Sequence, residues 1–375
     1  MSVVRNVLVI GGGFSGTSAA IQLRKAGIDV DLVEIDPGWR SYGAGITLNG
    51  ATLRALGEIG VLPEVMTHGA CCDGVELFTA DGHKLGELPT PRLAGPEVPG
   101  GGGIMRPVLA RILSEVTRRS GTKVRLGCQP TSINQQPTSV DVSFSDGTRA
   151  SYDLVVAADG ARSGLRETFF PTAPKPFYTG QGVWRALVPR PKEVQRPCFY
   201  MAPRLKAGVN PVSQTSMYLF LTEDRPTNAH VKDEELLPHL QALLEQFTAP
   251  IPSYVRSVLN TESQIVFRPL DALLVPSPWY VGRVVLIGDA AHASTPHLAA
   301  GAGMGIEDAV VLAQELKSAP SLDEALDNFQ QRRWPRCRLV VENSVRLGQI
   351  EQTGGSKEEH ANIMRESMIA LAAPF

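Results

Sequence analysis

The chain has 375 residues, enough for one large domain or two interleaved ones around a sizeable core. It is 43% hydrophobic and 20% charged, and its formal net charge of −2 provides no global field for nucleic acid or an acidic membrane. No apolar run approaches a membrane span, and the five cysteines fit neither a zinc site nor a CxxC pair, so no metal is expected and a reducing cytoplasm is the expected compartment.

The apolar start runs straight into glycines, which predicts a buried first strand over about 4–10 rather than a signal peptide. A helix follows from about 14 to 26, then a strand IDVDLVE ending at Glu34. NGATLRALGEIG and MRPVLARILSEVTRR both show helical apolar spacing; the second puts Val108, Leu109, Ile112, Leu113 and Val116 on one face. Between them lies ELPTPRLAGPEVPGGGG at 87–103, too long for a simple turn and suited to a loop over a pocket. SVDVSFSDGTRASYD alternates around Asp146-Gly147 and predicts a hairpin, and DLVVAADG predicts a fully apolar strand ending at Asp159-Gly160.

From about 175 to 270 the pattern changes. GVWRALV, SMYLFLT and SQIVFRP read as strands of a separate sheet, with one helix near 234–247. An apolar strand at 283–287 resumes the first domain, and a long helical stretch from about 321 to 350 follows. The expected organisation is a first domain over 1–70, 101–175 and 272–345, a substrate domain over 71–100 and 176–271, and a helical tail over 346–375.

Gly11, Gly13 and Gly16 form a GxGxxG between a strand and a helix. The first lets the chain turn off the strand, the second lets backbone approach a pyrophosphate, and the third lets the helix pack close to the sheet. With Phe14 and Ser15 they open a helix whose free N–H groups face phosphates, and Glu34 suits a ribose diol. This alone says dinucleotide. The second signal is RVVLIGDAAHASTPHLAAGAGMGIEDA. Asp289 ends a strand at the carboxyl edge of the sheet, and Gly301, Ala302 and Gly303 open a helix whose positive end suits a flavin that gains negative charge on reduction. Together the two segments point to FAD.

These motifs, with Asp159-Gly160 between them, resemble the class A FAD-dependent aromatic hydroxylases, the p-hydroxybenzoate hydroxylase-like family, over nearly the whole chain. The resemblance implies an α/β fold: a Rossmann-like FAD-binding domain interleaved with a smaller β-sheet substrate domain, plus C-terminal helices. It implies that the Asp159 segment serves FAD and transient NADH or NADPH, that Asp289 binds a ribose or ribityl hydroxyl, and that Pro296 lies beside the flavin ring. The HLAAGAGMG segment departs from the version many members carry, which puts the pocket wall at issue more than the cofactor. Arg106 precedes Pro107 at a helix start, where a cation opposes the helix dipole unless an anion such as the FAD pyrophosphate lies nearby. Arg40 can face a phosphate, NAD(P)H or only solvent.

The substrate end is less legible. Trp184 and Arg185 alternate along one strand, so at most one points inward. Tyr218 can hydrogen-bond or deprotonate a substrate hydroxyl, Lys206 can steady an anionic substrate, and His297 can act as an acid or base; each can equally be a packing or surface residue. The strand pair carrying Lys206 and Tyr218 loosely resembles urate hydroxylase-type members. The expected chemistry is single-component monooxygenation. NAD(P)H reduces FAD, O2 gives a C4a-hydroperoxide, and oxygen is delivered to a phenolic or amino-substituted ring. The expected partners are thus a small aromatic molecule and O2, with no nucleic acid or membrane, in a monomer or homodimer. A flavin halogenase is disfavoured because Trp39, Trp184, Trp279 and Trp334 never stand two apart, and a disulfide reductase because no CxxxxC exists. A flavin-dependent dehydrogenase or reductase and a non-catalytic flavin-binding regulator remain the alternatives.

Overall fold

A computed structural model describes residues 2–375. The short apolar runs pair into a six-stranded sheet. Across it lie Tyr280–Val281, Val284–Leu286, Leu154–Ala157, Asn6–Ile10, Asp29–Glu34 and Lys123–Leu126. Every neighbour pair is parallel except the edge hairpin of the first two. Parallel strands need cover on their faces, which is why VLVI and LVVA are apolar without alternation. The helices Phe14–Lys25 and Gly301–Ser318 pack on each other and on this sheet's core. The hairpin predicted around Asp146-Gly147 forms, with Val140–Phe144 antiparallel to Arg149–Tyr152.

A seven-stranded sheet runs in the order Ile265–Ala272, Phe177–Pro189, Ser216–Asp224, Lys206–Pro211, Cys198–Met201, Val75–Thr79 and Lys84–Leu88. The chain enters it twice, at 75–88 and at 177–272, and returns each time to the first sheet's layer. One face packs its apolar residues against the helices Asp233–Leu244 and Pro250–Val258. Trp184 lies there, fully buried, stacked on His239 and against Phe267. The other face looks onto the first domain. The long helix Leu322–Thr353, capped by Ser321, runs unbroken through 345–346, and Lys357–Ala372 forms the C-terminal helix. Among the described residues no helix is long and apolar enough to cross a membrane.

The Pro/Gly-rich stretch at 87–103 departs from its expectation. Only its middle is loop; Gly101–Met105 is the central strand of a third, three-stranded sheet with Gly45–Asn49 and Ala70–Cys72. The glycines belong there because two backbones crowd the strand. A Cβ on Gly103 would stand 2.4 Å from the Pro211 carbonyl oxygen, and one on Gly102 2.9 Å from that of Ala70. Gly103→Val is expected to cost about 1–3 kcal/mol through overpacking. An unchanged denaturation midpoint would show that the two sheets can part without penalty.

Candidate flavin and substrate site

The first sheet, the glycine-strand sheet and the seven-stranded sheet enclose a cavity of about 870 Å³. Gly13, Phe14 and Ser15 line one part of it, and Asp289 and residues 293–302 another. Arg185, Lys206, Tyr218 and Phe220 of the seven-stranded sheet form the facing wall. The loop around Pro89, Pro91 and Leu93 closes a side, as the 87–103 stretch suggested.

The glycine turn has the shape of a phosphate cradle. Gly11 adopts φ +104°, and a Cβ there would meet the Ala158 carbonyl oxygen at 2.3 Å. A Cβ on Gly16 would lie 1.9 Å from the Gly11 oxygen, so the helix can approach its strand only as glycine. At Gly13 the space is open, leaving bare backbone towards the cavity. Glu34 Oε2 accepts from Gly12 N at 2.7 Å and Oε1 from Asp36 N at 2.8 Å, and each oxygen keeps a second lone pair. Asp159 Oδ2 accepts from Leu165 N at 3.2 Å, whereas its buried Oδ1 has no partner. Ser15 Oγ fills the gap between Gly288 and Gly305 and so also fixes how the first helix meets the GD turn.

The GD turn is held from behind. Gly288 (φ +60°) donates its N–H to Asp308 Oδ2 at 2.8 Å, and His292 Nε2 sits 2.6 Å from the same oxygen. Burial opposes a charge on His292, but Cys337 and Asp308 prevail and hold its pKa well above the usual imidazole value. His292, Asp308 and Cys337 bring three ligand-type atoms within 4.8 Å of one another, yet Arg333 occupies the same pocket. Its Nε donates to Asp308 Oδ1 at 2.7 Å and its Nη2 to Cys337 Sγ at 3.5 Å, and a guanidinium there repels a metal ion. Asp289 itself is open to the cavity and surrounded by protein. Desolvation raises its pKa against the pull of His292 and Arg106.

Arg106 begins the helix Arg106–Arg119 and lines the cavity over the Phe14 ring, 5.6 Å from its centroid. Its side chain donates no hydrogen bond among the described residues; burial lowers its pKa, and Asp289 is its main counter-charge. The helix Gly301–Ser318 starts with no side-chain cap and no acidic residue, so the N–H groups of Gly301, Ala302 and Gly303 carry the positive end of its dipole towards the cavity. A Cβ on Gly303 would strike Thr52 Oγ1 at 2.3 Å, so that glycine serves helix packing as well. Pro296 opens a single 3-10 turn on the cavity wall.

An orphaned buried carboxylate oxygen, an open glycine cradle, an unpaired cavity arginine and an uncapped helix start together fit FAD. The sequence family described as "FAD binding domain" matches residues 5–344. The chain belongs to the FAD-dependent aromatic hydroxylase family. The "Putative FAD-dependent monooxygenase YetM" of Bacillus subtilis is 30% identical over 342 residues, 91% of this chain and 92% of that protein. The 2-heptyl-3-hydroxy-4(1H)-quinolone synthase of Pseudomonas aeruginosa is 33% identical over 349 residues, 92% of this chain and 89% of that one. Among solved structures, Klebsiella pneumoniae HpxO complexed with FAD and uric acid superposes with a TM-score of 0.83 at 24% identity, covering 98% and 97% of the two chains. The chain is thus a flavoprotein monooxygenase with a Rossmann-like FAD-binding domain interleaved with a β-sheet substrate domain.

The wall facing the flavin motifs carries four residues singled out from the sequence, Arg185, Lys206, Tyr218 and His297, and three that were not, Thr47, Asn210 and Glu351, are hydrogen-bond or ion-pair partners around them. Tyr218 OH is hydrogen-bonded to Thr47 Oγ1, which also accepts from Asn210 Nδ2 at 3.0 Å. Gly45 makes room for the tyrosine, since a Cβ there would lie 2.2 Å from its ring. Arg185 lines the cavity on the face opposite Trp184, as strand alternation requires. Lys206 Nζ pairs with Glu351 Oε1 at 2.6 Å. His297 lines the cavity with Nδ1 2.8 Å from Thr295 Oγ1 and Nε2 3.4 Å from Glu351 Oε2, and desolvation lowers its pKa. Arg40 stands apart: 61% exposed, it pairs with Asp36, stacks near Tyr42 and does not line the cavity. Thr47, Asn210 and Glu351 carry no motif; only their spatial convergence marks them.

Proposed function

We propose that this protein uses NADH or NADPH and O2 to hydroxylate an aromatic or heteroaromatic ring carrying a hydroxyl or amino group. The supporting observation is the wall opposite the flavin site, where Tyr218, Phe220 and Phe199 offer flat aromatic surface beside the polar heads of Arg185 and Lys206. When bound, the reduced cofactor supplies an electrophilic oxygen from O2. This chain's residues do the rest. The sheet faces of residues 183–185 and 218–222 orient the ring. The Pro89–Leu93 loop and the C-terminal helix residues Met364, Met368 and Leu371 wall the cavity off from water. Tyr218, steadied by Thr47, exchanges a hydrogen bond with the ring hydroxyl and favours its more electron-rich form. Asp159, Asp289, Glu34 and Arg106 hold the cofactor, and Pro296 and the N–H groups of residues 301–303 border its ring. The relatives' printed names, a quinolone synthase and a structure with uric acid bound, support a fused heteroaromatic substrate.

The test is a screen of phenolic, quinolone and purine-like compounds. The expected result is ligand-stimulated NAD(P)H oxidation with matching O2 consumption and a product heavier by one oxygen. Equal stimulation under anaerobic conditions with reduction of the ligand would overturn oxygenation in favour of a reductase. Tyr218→Phe is expected to lower turnover about 10- to 100-fold with FAD content unchanged. Unchanged turnover with the true substrate removes Tyr218 from the reaction.

A further inference from the structure

The cavity wall carries three cations on the seven-stranded sheet, Arg185, Lys206 and Arg268, and their circumstances differ. Lys206 is already neutralised. Its ammonium lies 2.6 Å from Glu351 Oε1, and both side chains are only 15% exposed. Glu351 is held in place from further sides, with His297 Nε2 at 3.4 Å and His360 Nε2 at 3.3 Å. Burial opposes its charge, but Lys206, His297 and His360 together outweigh that and hold the carboxyl well below its usual range. A fixed buried pair of this kind offers no net charge to a ligand.

Arg185 is the opposite case. It sits in the middle of the strand Phe177–Pro189, cross-strand from Phe220 on one side and Val266 on the other. Among the described residues its guanidinium donates no hydrogen bond and forms no ion pair, although it lines the cavity. Its charged neighbours are Arg106 and Arg268, both of the same sign. Desolvation pushes its pKa down to about 10, still well above neutrality, so the charge persists. A desolvated guanidinium without an acceptor is unfavourable, and its flat five-donor fork matches a planar oxyanion. Arg106 has Asp289 and the cofactor to face. Arg268 also lines the cavity, but it is exposed to solvent and donates to the Phe267 carbonyl at 3.2 Å. Of these cations on the sheet, Arg185 alone is desolvated and has neither a hydrogen-bond acceptor nor an ion-pair partner among the described residues.

We propose that Arg185, rather than Lys206, is the anion receptor of the substrate wall, and that the ligand is an aromatic or heteroaromatic acid presenting a carboxylate or an acidic ring oxygen to it. This rests on the reading of the cavity as a ring-binding site, but not on oxygen chemistry. The charged oxygen lies against residue 185, and the ring lies over Phe220 and Tyr218. Arg185 therefore sets substrate specificity by contact, while Glu351 acts as a positioning residue that withdraws Lys206 from ligand binding.

The experiment titrates the FAD-loaded protein with benzoate, benzamide and 4-nitrophenolate, reading the shift of the flavin absorbance band, with no reductant present. Wild type is expected to bind at least one of the two anions roughly tenfold or more tighter than benzamide. Preference for benzoate assigns a carboxylate, and preference for nitrophenolate a ring oxyanion. Arg185→Gln is expected to abolish the preference with FAD retained, and Arg185→Lys to keep part of it. The double variant Lys206→Met/Glu351→Gln, which removes the pair as a unit, is expected to leave the anion-to-amide ratio within about threefold. Loss of the ratio in the double variant with its retention in Arg185→Gln would overturn the proposal. So would loss of FAD from Arg185→Gln at an unchanged ratio, which would give the guanidinium to the cofactor. No anion preference in wild type would also overturn it. A protein that shows the preference but consumes no O2 would sink the hydroxylation reading and leave this one standing.

Discussion

Arg333→Met is expected to cost about 3–5 kcal/mol of folding stability, the largest effect of any single substitution considered. The guanidinium is fully buried with Asp308 Oδ1 at 2.7 Å and Glu307 Oε2 at 2.8 Å. Removing it takes a guanidinium from two buried carboxylates. Arg336 still binds Glu307, with Nε at 2.8 Å, and His292 still faces Asp308, so Asp308 bears most of the loss. Burial drives its pKa up, but His292 and Arg333 outweigh that in the native protein and hold it below the usual carboxylate range. A depressed carboxylate contributes stability above its unfolded pKa of about 4 and loses it as pH falls through the folded value. The variant should therefore lose acid resistance as well as its midpoint. Urea denaturation at several pH values checks both, and a midpoint within experimental scatter of wild type would mean that the network is not holding the fold. Because Asp308 also grips Gly288 N, a partly folded variant should bind FAD more weakly.

Asp289→Ala is expected to weaken FAD binding about 10- to 100-fold, the loss of one charge-assisted hydrogen bond of about 1.5–3 kcal/mol. Fluorescence titration of the apoprotein measures it, and full FAD occupancy after extensive dialysis would remove Asp289 from the cofactor site. The wild-type pH dependence has a definite direction. The ionised carboxylate is the stronger acceptor, and desolvation raises this carboxyl's pKa in the free protein. Acidification should therefore weaken FAD binding starting above the ordinary carboxylate range, and Asp289→Asn should flatten that dependence.

The cofactor end of the protein was legible because its constraints are local. Gly11 and Gly16 are demanded by the packing of one turn, with Gly13 between them leaving backbone open to the cavity, and Asp289 and Gly301 belong to one strand–loop–helix segment, so spacing along the chain encodes geometry in space. The parallel strands were legible for a similar reason, since burial on both faces leaves continuous apolar runs. The glycine tract at 101–103 was not. Composition says loop, and only the approach of Pro211 and Ala70 makes it a strand with no room for side chains.

The cavity wall facing the flavin motifs shows the same division more sharply. The sequence by itself determined that Trp184 and Arg185 oppose each other and that a second sheet carries Lys206 and Tyr218. It could not say which cation is free. That was decided by Glu351, 145 residues from Lys206 in the chain and brought within 2.6 Å by the long helix. A local motif records what a turn requires of its own residues. The charge of a cavity depends on which distant side chain reaches in to neutralise it, and only tertiary packing sets that distance.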